Sequence, residues 1–210
     1  MYESEIGVGQ YVDYEVYPTC GIATPDHLIG VEDDPKYFAS PERVSGGIIW
    51  MGFGYVEYML PNFLKPGQRL LDLQISLEIA SEAPGFCEEW PSDIYFYLND
   101  IEFCTWTCPG DFGYTTGIFT PTWWNRNWNQ HGQFKLLSIN HSGSFVDGIR
   151  RSDVTLEQLN IQPGAPLTLR IAAPHNAAHS GGLTIYGRGF GDYNQDILIR
   201  MHYTEDGNNP

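Results

Sequence analysis

The chain has 210 residues, of which 42% are hydrophobic and 18% charged. This composition is typical of a globular protein and excludes disorder over the whole length. The 26 acidic residues exceed the 11 basic ones and give a net charge of −15, without a lysine or arginine cluster that would neutralise phosphates. We therefore expect no nucleic-acid binding by this chain itself. Because no apolar run reaches membrane-spanning length, we expect a cytoplasmic protein with no membrane partner.

A period of two between apolar and polar residues dominates the chain and predicts β-strands. In Leu71–Ile79, LDLQISLEI, the aliphatic residues share one face and the polar residues share a face expected to be solvated. Other runs rich in β-branched and aromatic residues predict further strands. In chain order the predicted strands are Tyr11–Val16, Ile48–Leu60, Leu71–Ile79, Ile94–Leu98, Ile101–Thr107, Phe134–Ile139, Leu167–Ala172, Leu183–Tyr186 and Ile197–Tyr203.

Turn signals between these runs indicate how the strands connect. Asn99-Asp100 predicts a hairpin turn, since both residue types tolerate a positive φ. Pro66-Gly67 and Pro163-Gly164 each precede a long strand, and two such equivalent entries suit a two-sheet jelly roll. Only Ser152–Leu159, SDVTLEQL, predicts a short helix.

The sequence therefore predicts an all-β fold: a jelly-roll or galactose-binding-like β-sandwich with long loops and at most one or two short helices. Residues 1–10 are interpreted as a tail or linker remnant. Residues 11–203 are expected to form a single β-sandwich domain, and residues 204–210 a disordered tail.

The cysteine and histidine residues do not predict a metal site. Cys104 and Cys108 would lie about 13 Å apart in a continuous strand, too far for one metal ion or one disulfide. His175 and His179 are four residues apart, but the preceding proline and following glycines disfavour the helix that would bring them together. We expect reduced thiols, no metal and no other cofactor.

Five of the six tryptophans lie between Trp90 and Trp128. Three of these five belong to the segment from Pro109 to Gly132, which is too long for a hairpin connection. Aromatic rings stack on the C–H faces of sugars, while amides and carboxylates bind hydroxyl groups. This mixture predicts a pocket for a carbohydrate or another polyol. The predicted ligand-binding residues are Trp106, Trp123, Trp124 and Trp128 as walls, with Glu89, Asp111, Asn127 and His131 as hydrogen-bonding groups.

Two other interpretations remain open. In a glycan-active enzyme, Glu88 or Glu89 would act with Asp111 as acid and base, which requires carboxyls about 5–10 Å apart. Adjacent glutamates in a strand face opposite sides, so at most one would enter such a site, and we predict no catalytic residue. Alternatively, the tryptophans would be buried between two copies of a dimerisation module.

Six ordered blocks, together running from about Gly7 to Tyr203, resemble the C-terminal portion of bacterial ArsR-type (arsenic-repressor-like) winged-helix regulators. The blocks are IGVGQYVDYEVYPTCGIAT, IGVEDDPKYFASPERV, FGYVEYMLPN, SEAPGFCEEWPSDIYFYLNDIEFCTWTCPGDFG, GSFVDG and GGLTIYGRGFGDYNQDILIRMHY. The resemblance implies a β-sandwich sensor domain that follows a winged-helix DNA-binding head. No basic helical segment of that kind precedes Gly7.

The expected function is accordingly that of a non-enzymatic, ligand-sensing C-terminal domain of a transcriptional regulator. The expected ligand is a small, sugar-like molecule. DNA would be a partner only through a winged-helix domain missing from this chain, and a homodimer is left open.

Overall fold

The computed structural model describes residues 1–205 and is all-β, with 48% of residues in strands and 5% in helices. Two short 3-10 helices, Pro35–Ala39 and Pro41–Ser45, lie between the second and third strands. The strands are β1 (Tyr2–Ile6), β2 (Asp13–Ala23), β3 (Ile48–Leu60), β4 (Gln68–Ala80), β5 (Ser92–Leu98), β6 (Ile101–Cys108), β7 (Gln133–Asn140), β8 (Gly143–Val146), β9 (Ile149–Ser152), β10 (Leu167–Ala173), β11 (Leu183–Tyr186) and β12 (Ile197–Glu205). The prediction of an all-β sandwich is confirmed.

All strand pairs are antiparallel, and they form two half-sheets that share one strand. The first half-sheet has the order β2-β3-β10-β5-β6, and the second has the order β1-β12-β4-β7-β8-β9. Strand β11 pairs with the start of β3 and with the end of β4, and so joins the half-sheets at one corner. Across the opposite edge, the Ser152 hydroxyl donates to the backbone oxygen of Phe103. The sandwich is consequently nearly barrel-shaped.

The main core lies between the half-sheets and receives residues from every strand except β9. On β4 the residues Leu73, Ile75, Leu77 and Ile79 have no exposed surface, as the alternating pattern predicts, whereas Leu71 is 42% exposed at the outer end. The long loop 109–132 connects β6 in the first half-sheet to β7 in the second, which explains why a hairpin would not suffice.

The predicted turns are confirmed. Asn99 and Asp100 have φ values of 47° and 64° and connect β5 to β6. Gly67 and Gly164 also have positive φ, 81° and 71°, in the turns before β4 and β10. Both Pro-Gly pairs therefore redirect the chain into a long core strand, because glycine adopts this conformation without steric cost.

Several details differ from the sequence interpretation. The short helix predicted at Ser152–Leu159 is wrong: Ser152 ends β9 and a turn covers 156–160. The chain is helical instead at the two 3-10 helices, each of which has proline at its start and a capping Asp34 or Ser40.

The chain ends also differ. Strand β1 lies within the segment 1–10 that we interpreted as a tail or linker, and it pairs along β12 from Tyr2 to Ile6. Strand β12 continues to Glu205, beyond the expected domain end at Tyr203. The remainder of the predicted tail, 206–210, lies outside the described residues. No helix in the described part of the chain is long and apolar enough to cross a membrane.

Candidate functional site

The Trp-rich loop 109–132 covers the outer face of the corner where β11 joins β3 and β4. Its central residue, Trp124, lies nearly perpendicular to Trp50 and Phe190, with ring centroids 5.6 Å and 5.1 Å away. The indole Nε1 of Trp124 donates to the backbone oxygen of Asn129 at 2.7 Å. The loop thus buries a second apolar cluster. Its members are Ala23, Ile48, Trp50, Ala80, Trp124, Tyr186 and Phe190.

Glu78 fixes the base of this loop. The Glu78 carboxyl accepts hydrogen bonds from the backbone N–H groups of Gly132, Asp192 and Tyr193 at 2.8–2.9 Å. Burial raises the pKa of Glu78, and these donors oppose the rise. The polar face of β4 was expected to be solvated, but Ser76 and Glu78 are 4% and 2% exposed because the loops cover them.

Two further buried acids lie at the base of the Trp-rich loop: Glu82, which follows β4, and Asp111, near the start of the loop itself. Glu82 accepts from Asn129 Nδ2 at 3.1 Å and from Thr184 Oγ1 at 2.9 Å, while Asp111 Oδ2 accepts from the backbone N–H of Ala83 at 3.1 Å. Burial raises the pKa of Glu82 well above its ordinary value, and the neighbouring Asp111 adds to the rise. Burial also raises the pKa of Asp111 to about 8. The carboxyl that accompanies Asp111 is therefore Glu82, and not Glu88 or Glu89.

Three buried polar atoms near this pair have no hydrogen-bond partner within the described residues: Ser81 Oγ, Asp111 Oδ1 and Tyr186 OH. Ser81 directly precedes Glu82, and burial raises the pKa of the Tyr186 phenol well above its ordinary value, with a further contribution from Asp111. Unpartnered polar atoms are rare in the interior of native folds, so these three atoms distinguish the surroundings of Glu82 and Asp111 from the rest of the interior.

Beside Trp124 the loop leaves a notch of about 60 Å³, which we call the tryptophan notch. Trp128 contacts Trp124 at 4.8 Å between ring centroids and 72° between planes. Trp123 also contacts Trp124, at 5.5 Å, but does not line the notch. The notch is lined by Thr19, Glu32, Asp33, Trp50, Gly85, Trp124, Trp128 and Asn129.

The structure does not bring the other predicted site residues into the notch. Trp106 belongs to the main core between the half-sheets. Glu89 and Asn127 are exposed on the surface. His131 stacks on Phe112, with ring centroids 5.5 Å apart and planes 16° apart. The predicted set therefore divides between the core, the loop and the surface.

A separate groove of about 550 Å³ crosses the outer face of the first half-sheet, and we call it the sheet groove. It exists because the small residue Ala172 on β10 lies directly between its strand partners Tyr55 on β3 and Tyr95 on β5. Pro174 and His175, which follow β10, line one side. The groove is lined by Glu15, Tyr17, Phe53, Gly54, Tyr55, Tyr97, Arg170, Ala172, Pro174 and His175.

Aromatic rings form one end of the sheet groove. Tyr17 and Phe53 are strand partners whose rings stack 4.2 Å apart and 13° from parallel. His175 lies 5.7 Å from the Phe53 ring. The neighbouring Gly54 has φ 124°, and a Cβ there would lie 1.9 Å from the backbone oxygen of Glu15, so only glycine allows β2 this close.

The polar groups of the sheet groove centre on Arg170. Its guanidinium lies 4.6 Å over the Tyr55 ring and contacts the carboxylates of Glu57 at 2.7 Å and Asp100 at 3.2 Å. Arg170 Nε is buried and has no acceptor among the described residues. The groove therefore combines aromatic faces with a fixed, incompletely satisfied donor.

The four cysteines are free thiols. Burial raises the pKa of Cys20 to about 12 and that of Cys108 to about 11, and it raises the pKa of Cys104 as well. The thiols of Cys20, Cys104 and Cys108 are thus poor nucleophiles at neutral pH. Within residues 1–205 no three histidine, cysteine or acidic side chains are grouped so as to hold a metal ion.

No protein-family model matches the chain, and no curated protein sequence matches it significantly. The function is therefore inferred from the chemistry of the sheet groove and the tryptophan notch.

Proposed function

We propose that the protein is a non-catalytic carbohydrate-binding module whose ligand lies in the sheet groove. The observation that carries this proposal is the stacked Tyr17–Phe53 pair, which continues along the groove into Tyr55 beneath the Arg170 guanidinium. Aromatic faces bind the C–H faces of sugar rings, while guanidinium and carboxylate groups bind hydroxyls. A volume of about 550 Å³ also falls within the range of small-ligand pockets, about 300–1,000 Å³.

The charge of the protein favours a neutral sugar. The net charge is −15, and Arg170, the one lysine or arginine among the described residues that line the groove, already contacts Glu57 and Asp100. A polyanionic glycan would be repelled by this surface without gaining a free cation in return. We therefore propose neutral hexoses or pentoses, singly or in short chains, as the ligand class.

A sensing role in a transcriptional regulator is supported by the sequence resemblance alone. In that arrangement this domain would bind the sugar, and a winged-helix segment attached to it would bind DNA. An acidic domain suits the sensing part, because its charge repels the DNA backbone.

Replacing Phe53 tests the proposal. We expect Phe53→Ala to weaken binding of a neutral oligosaccharide about 5- to 150-fold, if stacking on this ring contributes about 1–3 kcal/mol, as found for bases stacked on aromatic side chains. Isothermal titration calorimetry with glucose, galactose, cellotetraose, xylotetraose and maltotetraose measures the affinity. The control is Trp90→Ala, which removes an exposed aromatic residue outside the groove.

Two outcomes would contradict the proposal. One is that none of the five sugars binds the unmodified chain at millimolar concentration. The other is that a sugar binds equally to the unmodified chain and to Phe53→Ala while Trp90→Ala abolishes binding. Conversion of any of these glycans by the protein would instead support the enzyme interpretation.

A further inference from the structure

We propose that the tryptophan notch is a second binding site, and that it takes the primary ammonium group of a small aliphatic amine such as a diamine. The site shares no lining residue with the sheet groove and takes a different chemical class of ligand. The proposal stands on the aromatic walls, the uncompensated acids and the size of the notch.

Three indole rings line the notch. Trp50 and Trp124 are largely buried, at 7% and 4% exposure, and Trp128 is half-buried. Trp124 is nearly perpendicular to both of the others, at 80° and 72°, so the three rings present surfaces in different directions. Indole is the aromatic group that attracts a cation most strongly, and an aromatic cage of this kind binds ammonium groups.

The acids at the notch have no cation to balance them. Glu32 and Asp33 line its mouth, and Glu82 lies directly behind its wall, where Thr19 Oγ1 contacts it at 3.1 Å. Neither these three acids nor Asp111 forms an ion pair with a lysine, arginine or histidine of residues 1–205. Glu32 and Asp33 thus supply the acidic groups at the mouth without a cationic partner among the described residues, whereas burial favours the uncharged form of Glu82 and Asp111.

The polar atoms of the notch are chiefly hydrogen-bond acceptors. Asn129 uses both amide hydrogens on Glu82 and Thr184, and the Trp124 N–H donates to the backbone of Asn129. The amide oxygen of Asn129, the carboxylate of Glu32 and Asp33 Oδ2 remain to accept, while Asp33 Oδ1 already accepts from the backbone N–H of Cys20 at 2.8 Å. A primary ammonium group has three donors and no acceptor, so it complements this set. Asp111 Oδ1, buried beside Glu82 without a partner among the described residues, becomes a further acceptor behind the notch once the carboxyl loses its proton, since burial raises its pKa to about 8.

The size of the notch selects the ligand further. Its volume of about 60 Å³ is roughly a ninth of the 550 Å³ of the sheet groove. An ammonium head with its first methylene fits this space, whereas a sugar ring requires several times more. The exposed acids Glu32 and Asp33 at the mouth suit a second positive charge on the same ligand, which favours a diamine over a monoamine.

Intrinsic tryptophan fluorescence and calorimetry test the proposal on the whole chain with 1,4-diaminobutane as the probe. We expect saturable binding of the diamine, at least tenfold weaker binding of butylamine, and no binding of 1,4-butanediol, which has the same length without charge. Tetramethylammonium, which has no N–H group to donate to the carboxylates, is expected to bind at least tenfold more weakly than butylamine.

Two variants locate the binding. Glu32→Gln is expected to weaken the diamine at least threefold, and Trp128→Leu at least tenfold. Glu157→Gln is the matched acidic control on an exposed turn outside the notch, and should bind normally. Circular dichroism confirms that each variant is folded.

Equal weakening by Glu157→Gln and Glu32→Gln would show general attraction to an acidic protein and overturn the proposal. So would an undiminished diamine affinity in folded Trp128→Leu, or equal responses to the diamine and the diol. Sugar binding at the groove, measured with Phe53→Ala, does not depend on any of these results, so the two proposals fail separately.

Discussion

Replacing Trp124 by alanine is expected to lower the free energy of unfolding by about 3–5 kcal/mol, the range for removing a large buried aromatic side chain. Trp124 is 4% exposed and contacts Trp50, Trp128 and Phe190 with its ring. The change leaves a cavity at the centre of the second apolar cluster. It also removes the hydrogen bond within the loop that Trp124 Nε1 donates to the backbone oxygen of Asn129.

Urea unfolding followed by far-UV circular dichroism measures this loss. Trp90→Ala is the control, since Trp90 is 39% exposed and contacts no other aromatic ring among the described residues; its effect should stay below about 1 kcal/mol. Equal losses in the two variants would show that the loop does not pack as described. Because Trp124 stabilises the fold, loss of ligand binding in Trp124→Ala would not by itself identify a binding residue.

The strands of this fold were predictable because their signal is local. β3 and β11 were predicted with the bounds that the structure shows, and β4 within three residues at its start, since alternation within one segment determines which side chains reach the core. Strands β8 (GSFV) and β9 (IRRS) were missed because, unlike the equally short β11 (LTIY), at least half of their residues are glycine, serine or arginine and not β-branched or aromatic. β1 was missed because three of its five residues, Glu3, Ser4 and Glu5, are polar and only Ile6 is buried.

The groove was not predictable in the same way. It depends on the register of four strands, so that Tyr17, Phe53, Ala172 and Tyr97 meet although they are far apart in the sequence. The sequence did contain one local signal for it. In the predicted strand Ile94–Leu98 the outward positions are occupied by the aromatic residues Tyr95 and Tyr97, whereas a solvated face ordinarily carries polar residues.

The Trp-rich loop was recognised correctly as a feature, but its sequence does not reveal which rings pack inward. Trp124 is buried and its neighbour Trp123 is 39% exposed, a difference that arises from the sheet corner beneath them. Glu82 was overlooked for a similar reason: it follows a strand end, and only the fold brings Asp111 against it.

Asp111→Asn is expected to stabilise the protein at alkaline pH. The pKa of Asp111 is about 8 in the folded protein against an ordinary value of 3.8, because the carboxyl is buried. The folded state therefore keeps a proton that the unfolded chain releases. Its contribution to stability is complete below about pH 4 and is lost as the pH rises towards 8. Glu82, whose pKa is also raised, acts in the same direction.

The size of the effect follows from the shift. Each pKa unit corresponds to about 1.4 kcal/mol, so the shift of Asp111 from 3.8 to about 8 sets an upper limit near 6 kcal/mol. Opening of the Trp-rich loop alone would hydrate the carboxylate while the sandwich stays folded, so we expect a gain of about 3 kcal/mol for Asp111→Asn at pH 8.5. At pH 4 the variant and the unmodified chain should be equally stable, because both then carry a neutral group.

Urea unfolding at half-unit steps from pH 4 to 9 follows this difference. The control Asp153→Asn removes a carboxyl whose side chain is 93% exposed, and its pH profile should parallel that of the unmodified chain. If the difference in free energy of unfolding between Asp111→Asn and the unmodified chain is constant over the whole pH range, the effect arises from packing. That result would contradict a raised pKa of Asp111. A gap that opens between pH 5 and 8 means that the protein holds an uncharged Asp111 beneath the loop, and that the carboxyls behind the tryptophan notch gain negative charge only when the loop opens or a cation arrives.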